Sequence, residues 1–393
     1  MARESSGATE GCAVKRIVIA PDSFKGSLDA IDVARAIASG VLRVWPDAEC
    51  VLVPMADGGE GTLDAVLSAG GERRQVDVRG ASGALLAAGF GIIERGSMPV
   101  AIIEAAQVVG ITELAGMAVP VGARATQGIG ELIRHALDFG VRDFLVGLGG
   151  SSTNDGGAGL LAGLGMRLFG DGERELAPNP EALEQLRRID VAALDPRLAE
   201  SRITIMSDVN NPLTGPRGAT AIFGPQKGVT PDLAGRYDGA IAGFARLAEA
   251  ALGRSASENP GAGAAGGLGF ALQLIGGEFR SGAEVIADLL RLDDALAGAD
   301  WLITGEGRSD LQTLLGKTPQ VVARRAAKQG VPATLLSGGI DRAALPALAD
   351  TFAGCFSLVF GPMTLAAAIA DSAGLLADSA EQMSRLLKSA RTS

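Results

Sequence analysis

Residues 15–20, KRIVIA, are a short β-branched apolar run closed by Pro21, the pattern of a strand buried in a parallel sheet. The period then lengthens. Ala30, Ala34, Ile37, Ala38, Val41 and Trp45 fall on one face of a helix, with Ser27 as its expected cap and Pro46 as its stop. A strand at 50–53 and a short helix at 60–69 repeat the rhythm, which predicts an α/β sheet with right-handed crossovers.

Between 72 and 104 the pattern changes. Apolar runs at 74–78, 84–94 and 99–104 are separated by Gly and Ser without a helical period, and predict antiparallel strands of a different domain. A helix over 127–139, strands at 143–148 and 203–207, a Gly/Pro-rich loop and a helix over 231–252 follow. From 299 the α/β alternation returns, with strands at 300–304, 333–337 and 353–359 and helices over 317–329 and 374–391. The simplest architecture is α/β with two domains. A discontinuous Rossmann-like parallel-sheet domain comes from 15–71 and 290–393, an inserted mixed α/β domain from 72–289, and 1–14 is a flexible N-terminal extension.

Composition narrows the function classes. The chain has 393 residues, 47% hydrophobic and 20% charged, a length for about two domains with ample core. A net charge of −10 gives no electrostatic footprint for nucleic acid or an anionic membrane surface. The longest apolar runs, such as ALLAAGFGII at 84–93, stop short of the ~20 residues a membrane helix needs. No apolar core of a signal peptide is visible, and Cys12, Cys50 and Cys355 lie far apart, so a reducing, cytoplasmic setting is expected. A single histidine rules out a His-rich zinc site. The 56 glycines cluster after apolar segments, where turns are tight or backbone meets ligand.

The chemistry follows the strands. Asp22, Ser23 and Lys25 follow the first strand, and Asp57 and Glu60 the second. Asp208, Asn210 and Asn211 follow the strand ending at Ser207, and Glu306, Arg308 and Asp310 the one ending at Thr304. Asp and Gly are also ordinary turn and cap residues, so any one loop is an even choice between scaffold and site. Four such loops, each beyond a buried strand, predict one polar, metal-capable, anion-tolerant cleft. Carboxylates with Asn suit Mg²⁺, and Lys25, Arg217, Lys227, Arg308 and Lys317 offer positive charge for phosphates. An Asp can accept the proton of an attacking hydroxyl. The combination favours a small-molecule kinase.

Standard motifs mostly fail. Gly316-Lys317-Thr318 resembles the end of a Walker A loop, but Leu311 stands where its first glycine belongs. GAGAAG at 261–266 follows Glu258-Asn259-Pro260 rather than a strand, so it is a weak dinucleotide fingerprint; close packing of a helix over Ala264–Leu274 is the plainer reading. His135 sits alone on a helix without a nucleophile nearby. Ser151-Ser152-Thr153 is no nucleophile elbow, while Ser151, Ser152, Asn154 and Asp155 suit either ligand binding or helix capping.

Six blocks carry a closer likeness: IVIAPDSFKGSL, PMADGGEGT, GLGGSSTNDGGAG, SDVNNPLTGPRGATAIFGPQKG, GAGAAGGLGFAL and WLITGEGRSDLQTLLGKTP. Their order resembles the type I glycerate kinase family from about residue 15 to near the C-terminus. The resemblance implies ATP-dependent phosphorylation of D-glycerate with Mg²⁺, typically to 2-phosphoglycerate, on a two-domain α/β fold. It implies Lys25 and Asp208 as catalytic, Asp208 taking the hydroxyl proton, and a substrate pocket from Asp22, Ser23, Asp57, Gly58, Gly59, Glu60 and Asn210. Nucleotide contacts are expected from Ser151, Ser152, Asn154, Asp155, Gly266, Gly267, Arg308 and Lys317, and metal contacts from Glu306 and Asp310. The 2- and 3-hydroxyls differ by one carbon, so a 3-kinase stays open, as do oligomeric state and a non-catalytic sugar-acid sensor. A nicotinamide-dependent dehydrogenase rests on GAGAAG alone.

Overall fold

The computed structural model describes residues 15–96 and 98–392; the extension expected at 1–14 lies outside them. The first half of the chain forms strands β1 (Arg16–Ile19), β2 (Glu49–Leu52), β3 (Glu72–Arg79), β4 (Leu85–Arg95), β5 (Met98–Glu104), β6 (Asp143–Gly147), β7 (Arg167–Phe169) and β8 (Arg188–Asp190). The second half adds β9 (Arg202–Met206), β10 (Glu278–Arg280), β11 (Trp301–Thr304), β12 (Arg308–Ser309), β13 (Ala333–Ser337), β14 (Gly339–Ile340) and β15 (Gly354–Ser357). The mixed α/β class expected from the sequence is the class observed.

Two compact units emerge: one runs to Ala56 and resumes at Ile286, the other spans Asp57–Val285. The sequence placed these breaks later, at 71/72 and 289/290. The helix Thr62–Ser68 accounts for the first difference. It packs on β4 and β5, and Leu63 and Leu67 fill the space left by Gly91 on β4.

The outer unit is built on a five-stranded sheet in the order β15-β13-β11-β1-β2, with every pair parallel. Ile17 and Ile19 of β1 and Ile303 of β11 are fully buried, as their continuous apolar runs require. The helix Ala30–Leu42 turns Val33, Ala34, Ile37 and Val41 into the same core. Its cap is Asp29, which accepts the Asp32 N–H at 2.8 Å, not Ser27. Ser27 falls short of the helix because Phe24 and Leu28 first close a tight bridge around it, and its hydroxyl pairs with Ser372 instead. Strand order reverses between β1 and β11, the switch point at which parallel α/β sheets leave room for ligands beyond their carboxyl ends.

The inner unit holds a six-stranded sheet in the order β10-β9-β6-β5-β4-β3. β3, β4 and β5 are antiparallel neighbours, and β5, β6, β9 and β10 run parallel. β3 is one of the two edge strands and is mostly polar, with Arg73, Arg74 and Asp77 along it. Every residue of the central β6 is buried. The helix Gln127–Asp138 covers the sheet with Ile129, Leu132 and Ile133, and the helix Pro231–Leu252 adds Ile241 and Phe244 to the core. Among the described residues, no helix is long and apolar enough to cross a membrane.

Candidate active site

Beyond β1 and β11 the outer unit assembles a charged cluster. Pro21 ends β1, and the next residue, Asp22, is turned inward: its N–H donates to the Gly305 carbonyl at 2.8 Å. One carboxylate oxygen of Asp22 accepts the Ser23 N–H at 2.7 Å, the other the Thr318 hydroxyl at 2.8 Å. Glu306, just past β11, is also buried. Its Oε1 accepts Thr313 Oγ1 at 2.6 Å and Ser309 Oγ at 3.0 Å, and Lys317 Nζ lies 3.9 Å from its Oε2. With the Ser309 proton spent on Glu306, Ser337 donates to Ser309 at 2.7 Å. Burial pushes the Glu306 carboxyl up, against the opposing pull of Thr313, Lys317 and Ser309.

Asp310 caps the short turn Leu311–Leu314, accepting the Gln312 N–H at 2.8 Å, while its own N–H donates to Thr313 Oγ1 at 3.0 Å. Arg308 is exposed on β12, which pairs with β14 and so fixes its backbone beside this cluster. Lys317 is the cap residue of the helix Thr318–Lys328, whose first-turn N–H groups and positive dipole end suit an anion. The Gly-Lys-Thr rejected as a Walker motif therefore does open a helix, but its Thr is spent on Asp22 and its Lys faces Glu306. Lys25 is exposed and Ser23 half-buried in the same β1 loop.

The inner unit presents a second cluster, the loop Asp57–Gly61. Asp57 accepts the Gly59 N–H at 2.9 Å, and the Thr62 hydroxyl donates to the Gly59 carbonyl at 2.7 Å. Gly58 and Gly61 both take positive φ, 90° and 89°, which disfavours a side chain at either position. The loop lies directly on the exit of β6: a Cβ on Gly147 would sit 2.4 Å from the Gly58 oxygen, and one on Gly149 2.5 Å from the Gly59 Cα. Glu60 points outward and is exposed.

The stretch 151–155 faces the interior. Asp155 is fully buried and accepts Thr126 N–H and hydroxyl, both at 2.7 Å, the Gly157 N–H at 2.9 Å and the Gly159 N–H at 3.1 Å. Burial pushes its carboxyl up and these four donors oppose it. Ser152 donates to the Val109 carbonyl at 2.9 Å, and Asn154 donates to Thr220 at 3.0 Å. Thr153 Oγ1 and Asn154 Oδ1 are buried without a partner. Capping and scaffolding thus occupy the Ser152 and Asp155 side chains, and the loop's backbone is also engaged, Ser152 N–H donating to the Val109 carbonyl at 2.8 Å and Gly156 N–H to the Gly266 carbonyl at 2.9 Å.

Lys227, expected as a phosphate-facing cation, is buried under that loop. Its Nζ donates to Ser151 Oγ at 3.0 Å and to the Thr153 carbonyl at 2.8 Å, and burial lowers its pKa to about 7. Gly266 and Gly267 also use their missing side chains on the protein: a Cβ on either would strike Thr153 or Gly156 backbone at 2.1 and 2.3 Å. The helix expected over Ala264–Leu274 begins only at Leu268, because Ala265, Gly266 and Gly267 all take positive φ. Asp208 and Asn210 are exposed on the loop after β9.

Two contributors escaped the sequence reading, and Lys227 was named in it with a different role. Thr318 was hidden in a failed motif. Glu104, the last residue of β5, ends an apolar run and yet is fully buried; an acid closing a strand without a turn residue beside it was the available signal. Among the described residues, no group of three or more His, Cys, Asp and Glu side chains is gathered as a metal cage. Mg²⁺ asks less than that, one or two carboxylates completed by phosphate and water, and Asp310 lies near enough to Glu306 for its charge to act on the Glu306 carboxyl.

Comparison with known proteins identifies the family. The profile of the glycerate kinase family matches residues 17–388. A glycerate kinase of Bacillus subtilis strain 168 is 41% identical over 385 residues, covering 96% of this chain and 99% of its own. A glycerate 2-kinase of Escherichia coli K12 is 40% identical, covering 83% and 85%. A crystal structure from Salmonella typhimurium LT2, assigned as a glycerate kinase 2, superposes with a TM-score of 0.83 at 40% identity over 97% of this chain and 100% of that one. With a family match over nearly its whole length and relatives of this identity on the same fold, the chain belongs to the glycerate kinase family.

Proposed function

We propose that this kinase transfers the γ-phosphoryl group of ATP to the 2-hydroxyl of D-glycerate, giving 2-phosphoglycerate and ADP, in the cytoplasm. The observation that carries the reading is the cluster at the β1/β11 switch point, where Asp22, Glu306 and Lys317 converge beside Arg308. Two acids with two cations at the opening of a helix is a set suited to a metal-bound polyphosphate. The 2-position is supported by the Escherichia coli relative, whose name specifies a 2-kinase.

In this scheme Lys25 binds the glycerate carboxylate or the phosphoryl group in transfer. Substrate contacts are assigned to Asp22 and Ser23 of the outer unit and to Asp57, Gly58, Gly59, Glu60 and Asn210 of the inner unit, each taken by itself. Arg308 and Lys317 take the nucleotide phosphates. Glu306 and Asp310 would hold Mg²⁺, which when bound neutralises phosphate oxygens. The acceptor oxygen bonds to the γ-phosphorus as the bond to the β–γ bridging oxygen breaks, ADP leaves, and the hydroxyl proton passes to Asp208.

NMR of the product formed from ATP, Mg²⁺ and D-glycerate tests both parts. A phosphorus coupled to the C2 proton is expected. A C3-coupled phosphate would overturn the regiochemistry, and no phosphorylated product would overturn the substrate.

A further inference from the structure

We infer that Glu104 is a positioning residue for the Asp57–Gly61 loop, and that the charge on its carboxylate sets how firmly that loop is held for substrate. The second half of this inference rests on the pocket proposed above. Glu104 ends β5 and is fully buried. Its Oε1 accepts the Gly61 N–H at 3.1 Å and its Oε2 the Leu63 N–H at 3.1 Å. Gly61, the residue before the helix Thr62–Ser68, has no side chain with which to cap it. Glu104 supplies that cap from a neighbouring strand, and with both oxygens.

The connection to the loop is continuous. Between the two residues held by Glu104 lies Thr62, whose hydroxyl donates to the Gly59 carbonyl, and the Gly59 N–H donates to Asp57. Releasing Gly61 or Leu63 therefore loosens the backbone of Gly59 and the side chain of Asp57.

The residue type matters because two N–H donors converge on one side chain. A carboxylate offers both an acceptor. A carboxamide or a protonated carboxyl offers one acceptor and turns an N–H or O–H toward the other donor. The charged groups facing Glu104 are Asp64, which is paired with Arg73, and Glu60; both are acidic, and its register partner on β6 is Gly147. Burial, with these two acids behind it, raises the Glu104 pKa to about 7, against the pull of the two N–H donors. Near neutrality the side chain thus passes between a form that satisfies both donors and one that satisfies only one.

The test uses the full chain at pH 6 to 8.5. Hydrogen–deuterium exchange of the peptide spanning 57–66, corrected for the intrinsic rate, reads the loop without substrate or variant. Steady-state kinetics with ATP, Mg²⁺ and D-glycerate reads the pocket. In the wild type, protection is expected to fall and the glycerate KM to rise as pH drops through about 7, by about tenfold for one lost hydrogen bond to a buried charge. E104Q is expected to show the raised KM at pH 8, a flat profile below it, and kcat within a fewfold of wild type. Flat wild-type protection across the range, or E104Q matching wild type in KM and profile, would overturn the assignment. Absence of turnover on glycerate would overturn the functional reading instead, with the exchange measurement still deciding the role of Glu104.

Discussion

Thr318 donates its hydroxyl proton to Asp22 at 2.8 Å across 296 positions of sequence. The bond ties the exit of β1 to the start of the helix Thr318–Lys328, and Glu306 enters beside it from β11. Three segments from the two ends of the outer unit thereby meet at its switch point. A buried carboxylate that keeps its charge needs donors of this kind, since leaving it unpaired costs far more than the bond itself contributes.

Thr318→Val removes that donor while keeping the volume. A hydrogen bond to a charged, buried acceptor is worth about 1.5–3 kcal/mol, so stability to urea should fall by about that amount, and kcat/KM with it. Thr318→Ser retains the hydroxyl and should recover most of both. Equal stability of the Val and Ser variants would show that Asp22 does not depend on this bond.

Asp208 and Lys25 are exposed, so their substitutions separate chemistry from folding. Asp208→Asn should lower kcat by about 10²–10⁴ with little change in glycerate KM, the loss expected for a proton acceptor. Lys25→Met should raise the glycerate KM. Lys25→Met should melt close to wild type, since exposed positions away from caps and cores rarely shift stability by more than about 0.5 kcal/mol. Near-normal turnover of folded Asp208→Asn would exclude it as the base.

What was legible in the sequence was local. Asp22 and Glu306 could be read because each follows a buried strand, and strand ends are where parallel sheets place their chemistry. Ser27 and Asp29 are both good cap residues two positions apart, and only the bridge closed by Phe24 and Leu28 decides between them. Lys227 looked like the other basic residues because burial leaves no mark on a single charged letter in a Gly-rich loop. Thr318 and Glu104 act on partners 296 and 41–43 residues away, pairings that no periodicity encodes. The unit boundary at 56/57 was missed for the same reason: which sheet a short helix covers depends on Gly91 and its neighbours in β4.

Lys227 yields a pH dependence. Its pKa falls from 10.5 to about 7 on folding, so between those values the unfolded chain binds more protons than the folded one. Stability from this group therefore rises as pH increases through the window, with a slope of at most about 1.4 kcal/mol per pH unit. Relative to Lys227→Met, the wild type should gain stability from pH 7 to 10 in urea titrations. A constant difference over that range would mean that Lys227 keeps its ordinary pKa in the folded state. The substitution also removes the donors to Ser151 and Thr153, so an offset in stability that does not change with pH is expected beside the slope.

Glycine does opposite work at two places, and a pair of alanine substitutions separates them. A Cβ on Gly149 would meet the Gly59 Cα at 2.5 Å, a backbone atom with no rotamer to yield. Gly149→Ala must push the Asp57–Gly61 loop away from the exit of β6, which should cost about 1–3 kcal/mol as overpacking does and raise the glycerate KM. Gly239, inside the helix Pro231–Leu252, has nothing within 4 Å of the same added atom. There alanine only restricts the unfolded chain and improves helix propensity, so Gly239→Ala should stabilise the protein by about 0.5–1 kcal/mol and leave the kinetics unchanged. Thermal melts and glycerate titrations on both variants check the contrast. If Gly149→Ala kept wild-type KM, the contact between the β6 exit and the Asp57–Gly61 loop would have no part in holding substrate.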